Sequence, residues 1–266
     1  DIANVVNEAA ILMVRAGEDT ITPERLGAAI DKVQSGLLMP KIEDRDVVER
    51  LAYREAGRAI LTTLLNIRNQ KVMKVSIVPR GKHVARTLLE VDDRGTLNLN
   101  ANNFATKETV SDAITLKLAG RITEEIVYGK EFVTMATTSD VHIATQLASH
   151  AATRLGYLMD SPMGPVVLSK WYTILPEKRK AQVDAFIEEL VAEAHKRCTR
   201  LLKERRPAVD QLCKELMEKE EIDGQRVAEI LASAEIVEVE EVSELATWYS
   251  NSNALASTSG IYSYFI

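Results

Sequence analysis

The sequence reads Ala52-Tyr53-Arg54-Glu55-Ala56-Gly57-Arg58-Ala59-Ile60 within a segment whose pattern predicts a long helix, from about Asp46 to Asn66. Residues four apart share one face of a helix, so Arg54 and Arg58 are neighbours there, with Glu55 beside them. Taken alone, an Arg-Glu-x-x-Arg pattern is usually a solvated helix face with local ion pairs. The flanking sequence therefore decides how this segment is interpreted.

Working outward, the chain starts with two short helical patterns, Asp1 to Ala16 and Thr22 to about Gly36. After the long helix, alternating β-branched residues predict strands at Val72–Val78 and Val84–Val91, with a short third strand at Thr96–Asn100.

Helical patterns then return and continue almost to the end of the chain. They are expected at about 107–128, 138–155, 176–206, from 207 onward and at 225–231. The tail from Glu235 is acidic and then rich in Ser and Asn, and we expect it to be flexible. The predicted fold class is mainly α, with a small β-sheet of two or three strands.

Composition excludes several classes of protein. The chain has 266 residues, of which 46% are hydrophobic and 27% charged, as is ordinary for a globular protein. Its net charge of −6 argues against a general nucleic-acid binder. Two distant cysteines, Cys198 and Cys213, are interpreted as buried or idle thiols. No apolar run reaches the ~18 residues needed to cross a bilayer, and the opening at Asp1 predicts a piece of a longer protein.

The segment at 52–60 resembles the metal-binding helix of FtsH-type AAA+ zinc metalloproteases, the peptidase M41 family. That family motif reads Tyr-His-Glu-Ala-Gly-His-Ala, in which two histidines at i and i+4 hold one zinc and the glutamate is the general base. This chain matches the surrounding positions and departs at both histidines, where Arg54 and Arg58 stand. Glu55, at the position of the base, is retained.

Four other segments are similar to the same family, in the same order: Asp1–Ala10, Val75–Gly81, Ala119–Gly129 and Val133–Ala148. The first resembles the end of the helical lid of the ATPase module. The last resembles the segment that supplies the third zinc ligand, an aspartate whose place Asp140 takes, although Ala136 replaces a usual glycine. The resemblance covers residues 1 to about 231. It implies the end of an AAA+ lid at 1–40, a degenerate M41 peptidase domain at 41–234 and a tail at 235–266.

The two arginines change the expected chemistry. A guanidinium group has no lone pair to give to a metal and stays protonated in proteins. We therefore expect zinc to be absent and this chain to have no cofactor, with ATP and magnesium confined to an upstream module if that module is intact. Arg54 or Arg58 is expected to pair with Asp140 or Glu55 and to hold two helices together. The alternative is that both arginines point to solvent.

The resemblance implies a proteolytically inactive FtsH-like subunit, similar to the inactive plastid members of the family. Such a subunit would form the protease layer of a homo- or hetero-hexamer and support ATP-driven unfolding, pulling or import of a protein substrate. It would be membrane-associated through segments outside this chain. The expected location is the chloroplast inner envelope or thylakoid with this domain in the stroma, and the alternatives are the mitochondrial or bacterial inner membrane.

Two other functions stay open on the sequence. One is an ATP-dependent zinc metalloendopeptidase with an unusual ligand set. The other is a peptide-binding module that uses an exposed strand edge, with Val84, Arg86 and Leu88 as substrate-binding residues, because an edge strand can accept an extended peptide. Any ATPase activity would have to come from an upstream module.

Overall fold

The structure, a computed structural model, describes residues 2–67, 70–90, 106–156, 166–170 and 172–238. Helices and a small sheet make up this part of the chain, which confirms the mainly α prediction. The helices are α1 (Ile2–Ala16), α2 (Pro23–Ser35), α3 (Arg45–Leu65), α4 (Lys107–Tyr128), α5 (Thr138–Thr153), α6 (Glu177–Glu204), α7 (Arg206–Lys219) and α8 (Gly224–Ser233). The strands are β1 (Val72–Ser76), β2 (Arg86–Leu89) and β3 (Glu221–Asp223).

Helix α3 runs through the centre of the fold, in contact with α4, α7 and the sheet, and α4 in turn packs against α5 and α6. Three of the fully buried residues of α3 are small: Ala52, Ala56 and Ala59. Small side chains let α4 approach closely, and at Gly57 the approach is closest: an added Cβ would lie 1.9 Å from Oγ1 of Thr123. The segment at 52–60 is therefore the packing centre of the domain.

Local signals set the ends of the central helices. Asp44 caps α3 by accepting hydrogen bonds from the amides of Asp46 and Val47. Thr106 caps α4 by accepting from the amide of Thr109. Side-chain oxygens at these positions satisfy amides that the first turn of a helix leaves unpaired. Helix α4 has the bounds that the sequence predicted.

The sheet is antiparallel, with the order β2-β1-β3. Val75 of β1 lies opposite Thr87 of β2 on one side and Ile222 of β3 on the other. Two sequence expectations differ from this result. Strands β1 and β2 are both shorter than predicted, at Val72–Ser76 and Arg86–Leu89. Strand β3, after α7, is an additional strand that the sequence analysis did not predict. The strand predicted at 96–100 and the tail from 239 lie outside the described residues.

Helices α1 and α2 pack against each other, and each buries one alanine, Ala9 in α1 and Ala29 in α2. An ion pair between Lys32 and Glu8 also joins them. The segment after α2 then forms a β-bridge from Leu38 to Arg80, in the turn that follows β1. The pair is thereby attached to the sheet. Across the part of the chain that the structure describes, no helix combines the length and apolar character needed to span a bilayer.

Candidate functional site

Glu55 lies on the buried side of α3 with only 2% of its surface exposed. One carboxylate oxygen, Oε1, accepts a hydrogen bond from Nη1 of Arg58 at 2.8 Å. The other, Oε2, accepts from the hydroxyl of Thr87 in β2, also at 2.8 Å. A buried carboxylate is costly unless it is paired and hydrogen-bonded, and both conditions are met here. The base position of the motif therefore has both oxygens engaged.

Arg58 joins α3 to α5. Its Nη1 contacts Glu55, and its Nη2 donates to Oδ2 of Asp140, near the start of α5. The side chains of Arg58 and Asp140 are 25% and 13% exposed. Burial disfavours the charged form of Arg58, but the two carboxylates outweigh burial, so that its pKa is raised. The sequence predicted that one of the two arginines would pair with Asp140 or Glu55, and Arg58 pairs with both.

Arg54 occupies a different position from Arg58, although both lie on the same helix. It donates from Nη2 to the carbonyl of Ala136 at 3.1 Å. It also lies within ion-pair distance of Glu124 at 3.6 Å and of Asp140 at 3.8 Å. Its side chain is 10% exposed, and its buried Nε has no hydrogen-bond partner. Neither arginine simply points into solvent.

Glu124 is a member of this site that the sequence analysis missed. It lies on α4, is fully buried and accepts from the amide of Thr134 at 2.7 Å and from its hydroxyl at 2.9 Å. These bonds fix the loop between α4 and α5, next to the carbonyl that Arg54 contacts. Glu124 lies in the segment 119–129 that resembles the family, but it is adjacent to Glu125, and the sequence pattern does not distinguish the two glutamates. Thr87 gave no comparable signal.

The predicted substrate-binding residues are only partly on a strand. Val84 is exposed and precedes β2, whereas Arg86 and Leu88 lie in it and are half-buried. The guanidinium of Arg86 donates to the carbonyl of Gln34 and to the hydroxyl of Ser35, at the end of α2. Arg86 is thus used in a contact within the chain. A role for these three residues in binding a peptide stays a prediction.

The family model described as Peptidase family M41 matches residues 41–230, which include both arginines, Glu55 and Asp140. This chain belongs to peptidase family M41. The region that matches begins just after α2 and its linker and ends in α8.

Three curated relatives illustrate the similarity of this M41 chain to FtsH proteins. An ATP-dependent zinc metalloprotease FtsH of Synechococcus sp. (strain JA-2-3B'a(2-13)) is 32% identical over 255 residues, which cover 89% of this chain and 38% of the relative. FtsH 3 of Synechocystis sp. is 30% identical, with 88% and 39% covered. The chloroplastic FTSH 6 of Oryza sativa subsp. japonica is 31% identical, with 87% and 34% covered. The chain therefore spans less than two fifths of the length of these relatives.

These names correct one expectation from the sequence. We expected zinc to be absent and the chain to have no cofactor, because both histidines of the motif are replaced. The relatives are nevertheless named as zinc metalloproteases. The expectation of a cofactor-free chain is contradicted by this comparison.

The side chains at the two ligand positions do not have the donor chemistry of a zinc ligand. Arg54 and Arg58 carry guanidinium groups, which donate hydrogen bonds and have no lone pair for a metal. Within the described ranges, no group of three His, Cys, Asp or Glu side chains is arranged to hold a metal ion. What the site contains is a set of ion pairs that connects α3 with α4, α5 and β2.

Proposed function

We propose that this chain is the peptidase-layer part of an FtsH-type subunit that does not cut polypeptides. The observation that carries the proposal is the position of Arg58 between Glu55 and Asp140. In an M41 motif the carboxylate of Glu55 would take a proton from a water molecule during hydrolysis. In this chain, that carboxylate accepts hydrogen bonds from Arg58 and Thr87 instead.

The energetics of the site support this assignment. A general base needs a carboxylate oxygen within hydrogen-bond distance of the water that it activates. A carboxylate has about four acceptor sites, so Arg58 and Thr87 do not fill all of them. Glu55 is only 2% exposed, however, and a water molecule would have to displace Arg58 or Thr87 to reach its oxygens. Release of Arg58 would leave buried charges unpaired, which is strongly destabilising, by about 3–5 kcal/mol in typical cases. The ion pairs therefore favour a fixed structural contact over a working base.

Without cleavage, the role of this chain would be to assemble with other subunits and to support the ATP-driven module of the same protein. Residues 1–40 would be the end of an AAA+ lid, 41–234 a degenerate peptidase domain and 235–266 a tail. The subunit would join other FtsH-like subunits in a membrane-anchored hexamer that unfolds or pulls a protein with energy from ATP. The similarity to cyanobacterial relatives and to a chloroplastic one supports a plastid membrane, with protein import as one candidate process.

The test uses the whole protein that contains this chain, purified with its membrane segments in detergent. A folded fluorescent reporter with an unstructured tail is added together with ATP. The proposal predicts that the reporter loses its fluorescence while its mass stays unchanged on a gel. Degradation of the reporter to peptides in a chelator-sensitive reaction would overturn the proposal and establish the metalloendopeptidase with an unusual ligand set.

A further inference from the structure

Adjacent residues of β2 contact two different helices. Successive side chains of a strand point to opposite faces. Arg86 contacts α2, with hydrogen bonds to the carbonyl of Gln34 at 3.2 Å and to the hydroxyl of Ser35 at 3.0 Å. Thr87 points the other way and donates to Glu55 of α3 at 2.8 Å. We infer that β2 transmits the position of α2 to the carboxylate of Glu55, whether or not the site cuts polypeptides.

A second contact attaches the same face of α2 to β1. Asp31 lies about one turn before Ser35, so both side chains face the sheet. Oδ2 of Asp31 accepts from Nζ of Lys74 in β1 at 2.9 Å, and Lys74 also binds Glu221 of β3 at 2.7 Å. Burial disfavours the charged form of Lys74, but the two carboxylates outweigh burial and raise its pKa. Both β1 and β2 are thus held by α2.

Backbone contacts fix the end of α2 onto the turn after β1. The amide of Gly81 donates to the carbonyl of Leu37, and the amide of Met39 donates to the carbonyl of Pro79, both at 2.9 Å. Gly81 has a φ of 54°, and a Cβ at this position would lie 2.5 Å from the carbonyl oxygen of Ser35. A side chain there would push α2 away from the sheet. The end of α2 and the sheet therefore move together while this contact holds.

The interface between α2 and the sheet is polar, so α2 can move away from the sheet more easily than from an apolar surface. A cavity of about 20 Å³ lies within it, lined by ten residues that include Asp31, Lys74, Arg80, Arg86 and Glu221. Polar and charged contacts of this kind are typical of interfaces between domains that move relative to each other. An apolar interface of the same extent would resist separation more strongly.

The consequence for the site follows from the geometry of one strand. A shift of α2 that carries Arg86 with it also displaces Thr87, because the two residues are adjacent in the backbone of β2. The hydrogen bond from Thr87 to Glu55 is then lost, and Oε2 of Glu55 becomes available. Arg58 holds the other oxygen, Oε1, so the change reaches one side of the carboxylate. Arg86 is a positioning residue in this arrangement.

Hydrogen–deuterium exchange on the full chain tests the inference. Arg86→Ala removes two hydrogen bonds between β2 and α2, and Asp31→Ala removes the ion pairs of α2 with Lys74 and Arg80. Arg200→Ala, which removes an exposed arginine of α6, is the matched control. We expect amide exchange to become at least about fivefold faster both in residues 84–90 and in residues 52–58. A fivefold change is the lower end of the coupling usually found between two sites of a protein. The control should change neither segment. A change confined to α2 and its linker would overturn the inference.

A double-mutant cycle gives a second readout. Within the described residues, the side chains of Asp31 and Thr87 share no hydrogen-bond partner, so independent roles predict additive effects on the melting temperature. Transmission through β2 predicts that Asp31→Ala lowers the melting temperature less in a Thr87→Val background, which lacks the hydroxyl that donates to Glu55, than in the parent. Equal losses in both backgrounds would contradict it. If Arg86→Ala fails to fold by circular dichroism, Asp31→Ala carries both measurements.

Discussion

Asp140 accepts a hydrogen bond from Arg58, although the two residues are separated by 82 positions in the sequence. The same guanidinium donates to Glu55, three residues before it on α3. One side chain therefore pairs with two carboxylates that come from different helices, and Arg54 lies within ion-pair distance of the second of them, Asp140. This connection between α3 and α5 explains how the site holds a buried carboxylate at the base position without unpaired charge.

Removal of Arg58 should destabilise the fold. Arg58→Ala leaves Glu55 and Asp140 as neighbouring carboxylates without their shared cation, so we expect the free energy of unfolding to fall by about 3 kcal/mol. This is the lower end of the usual range, because a quarter of the Arg58 side chain is exposed. Urea denaturation measures the change. Lys41→Ala is the control, because the side chains of its ion pair with Glu220 are 69% and 44% exposed, and it should change the free energy by less than about 0.5 kcal/mol. A loss for Arg58→Ala as small as the control would contradict the account.

Gly57→Ala should force α3 and α4 apart. An added Cβ would lie 1.9 Å from Oγ1 of Thr123, and we expect a loss of about 1–3 kcal/mol in the free energy of unfolding from overpacking. Gly27→Ala on α2 is the matched control, because nothing lies within 4 Å of its added Cβ. That variant should be neutral or slightly stabilising, since Ala favours helix over Gly. Equal effects of the two substitutions on the urea midpoint would show that the approach of α4 to Gly57 is not tight.

Stability at acid pH should depend on Glu215 of α7. The Arg226 guanidinium binds both of its carboxylate oxygens, at 2.7 and 3.2 Å, and lowers its pKa from 4.5 to about 2. A carboxyl group with a lowered pKa in the folded state stabilises the fold above pH 4.5, and this contribution is lost as the pH falls towards 2. Thermal unfolding from pH 5 to 2 should therefore show a smaller loss of stability with falling pH for Glu215→Gln than for the parent. The matched control is Glu218→Gln, at an exposed position of the same helix, and it should follow the parent.

The two cysteines should not react in the folded chain. Cys198 and Cys213 are free and buried, as the sequence predicted. Burial raises the pKa of Cys213 to about 12 and raises the pKa of Cys198 as well. With Ellman's reagent at pH 8, we expect no rapid reaction of the native protein and two reactive thiols after unfolding in guanidinium chloride. Rapid labelling of either thiol in the native state would show that its helix is not packed as described.

The helices and the ion-paired cluster could be predicted from the sequence because their signals are local or belong to a family pattern. Helix α4 has the bounds that its apolar spacing and its final glycine predicted. Arg54, Arg58 and Asp140 lie together, as expected from the motif and its third-ligand segment. The ion pair could be predicted from charge alone, because the family pattern places two carboxylates beside two arginines.

The remaining contacts depend on tertiary structure, which single-sequence patterns do not encode. Strand β3 has three residues and follows α7 directly, so it is too short to show the alternation that indicates a strand. The bond from Thr87 to Glu55 joins residues 32 positions apart and depends on the register of β2 against β1. The sequence also left open which arginine hydrogen-bonds Asp140, because that contact depends on the rotation of α3 against α5.

The central claim is that the ion-paired site of this M41 chain does not hydrolyse peptide bonds. Casein degradation by the whole protein, with ATP and in parallel with its Glu55→Gln variant, tests it most directly. The account predicts that the parent and the variant release the same background amount of acid-soluble peptide. Cleavage by the parent that a chelator stops and that Glu55→Gln abolishes would contradict it.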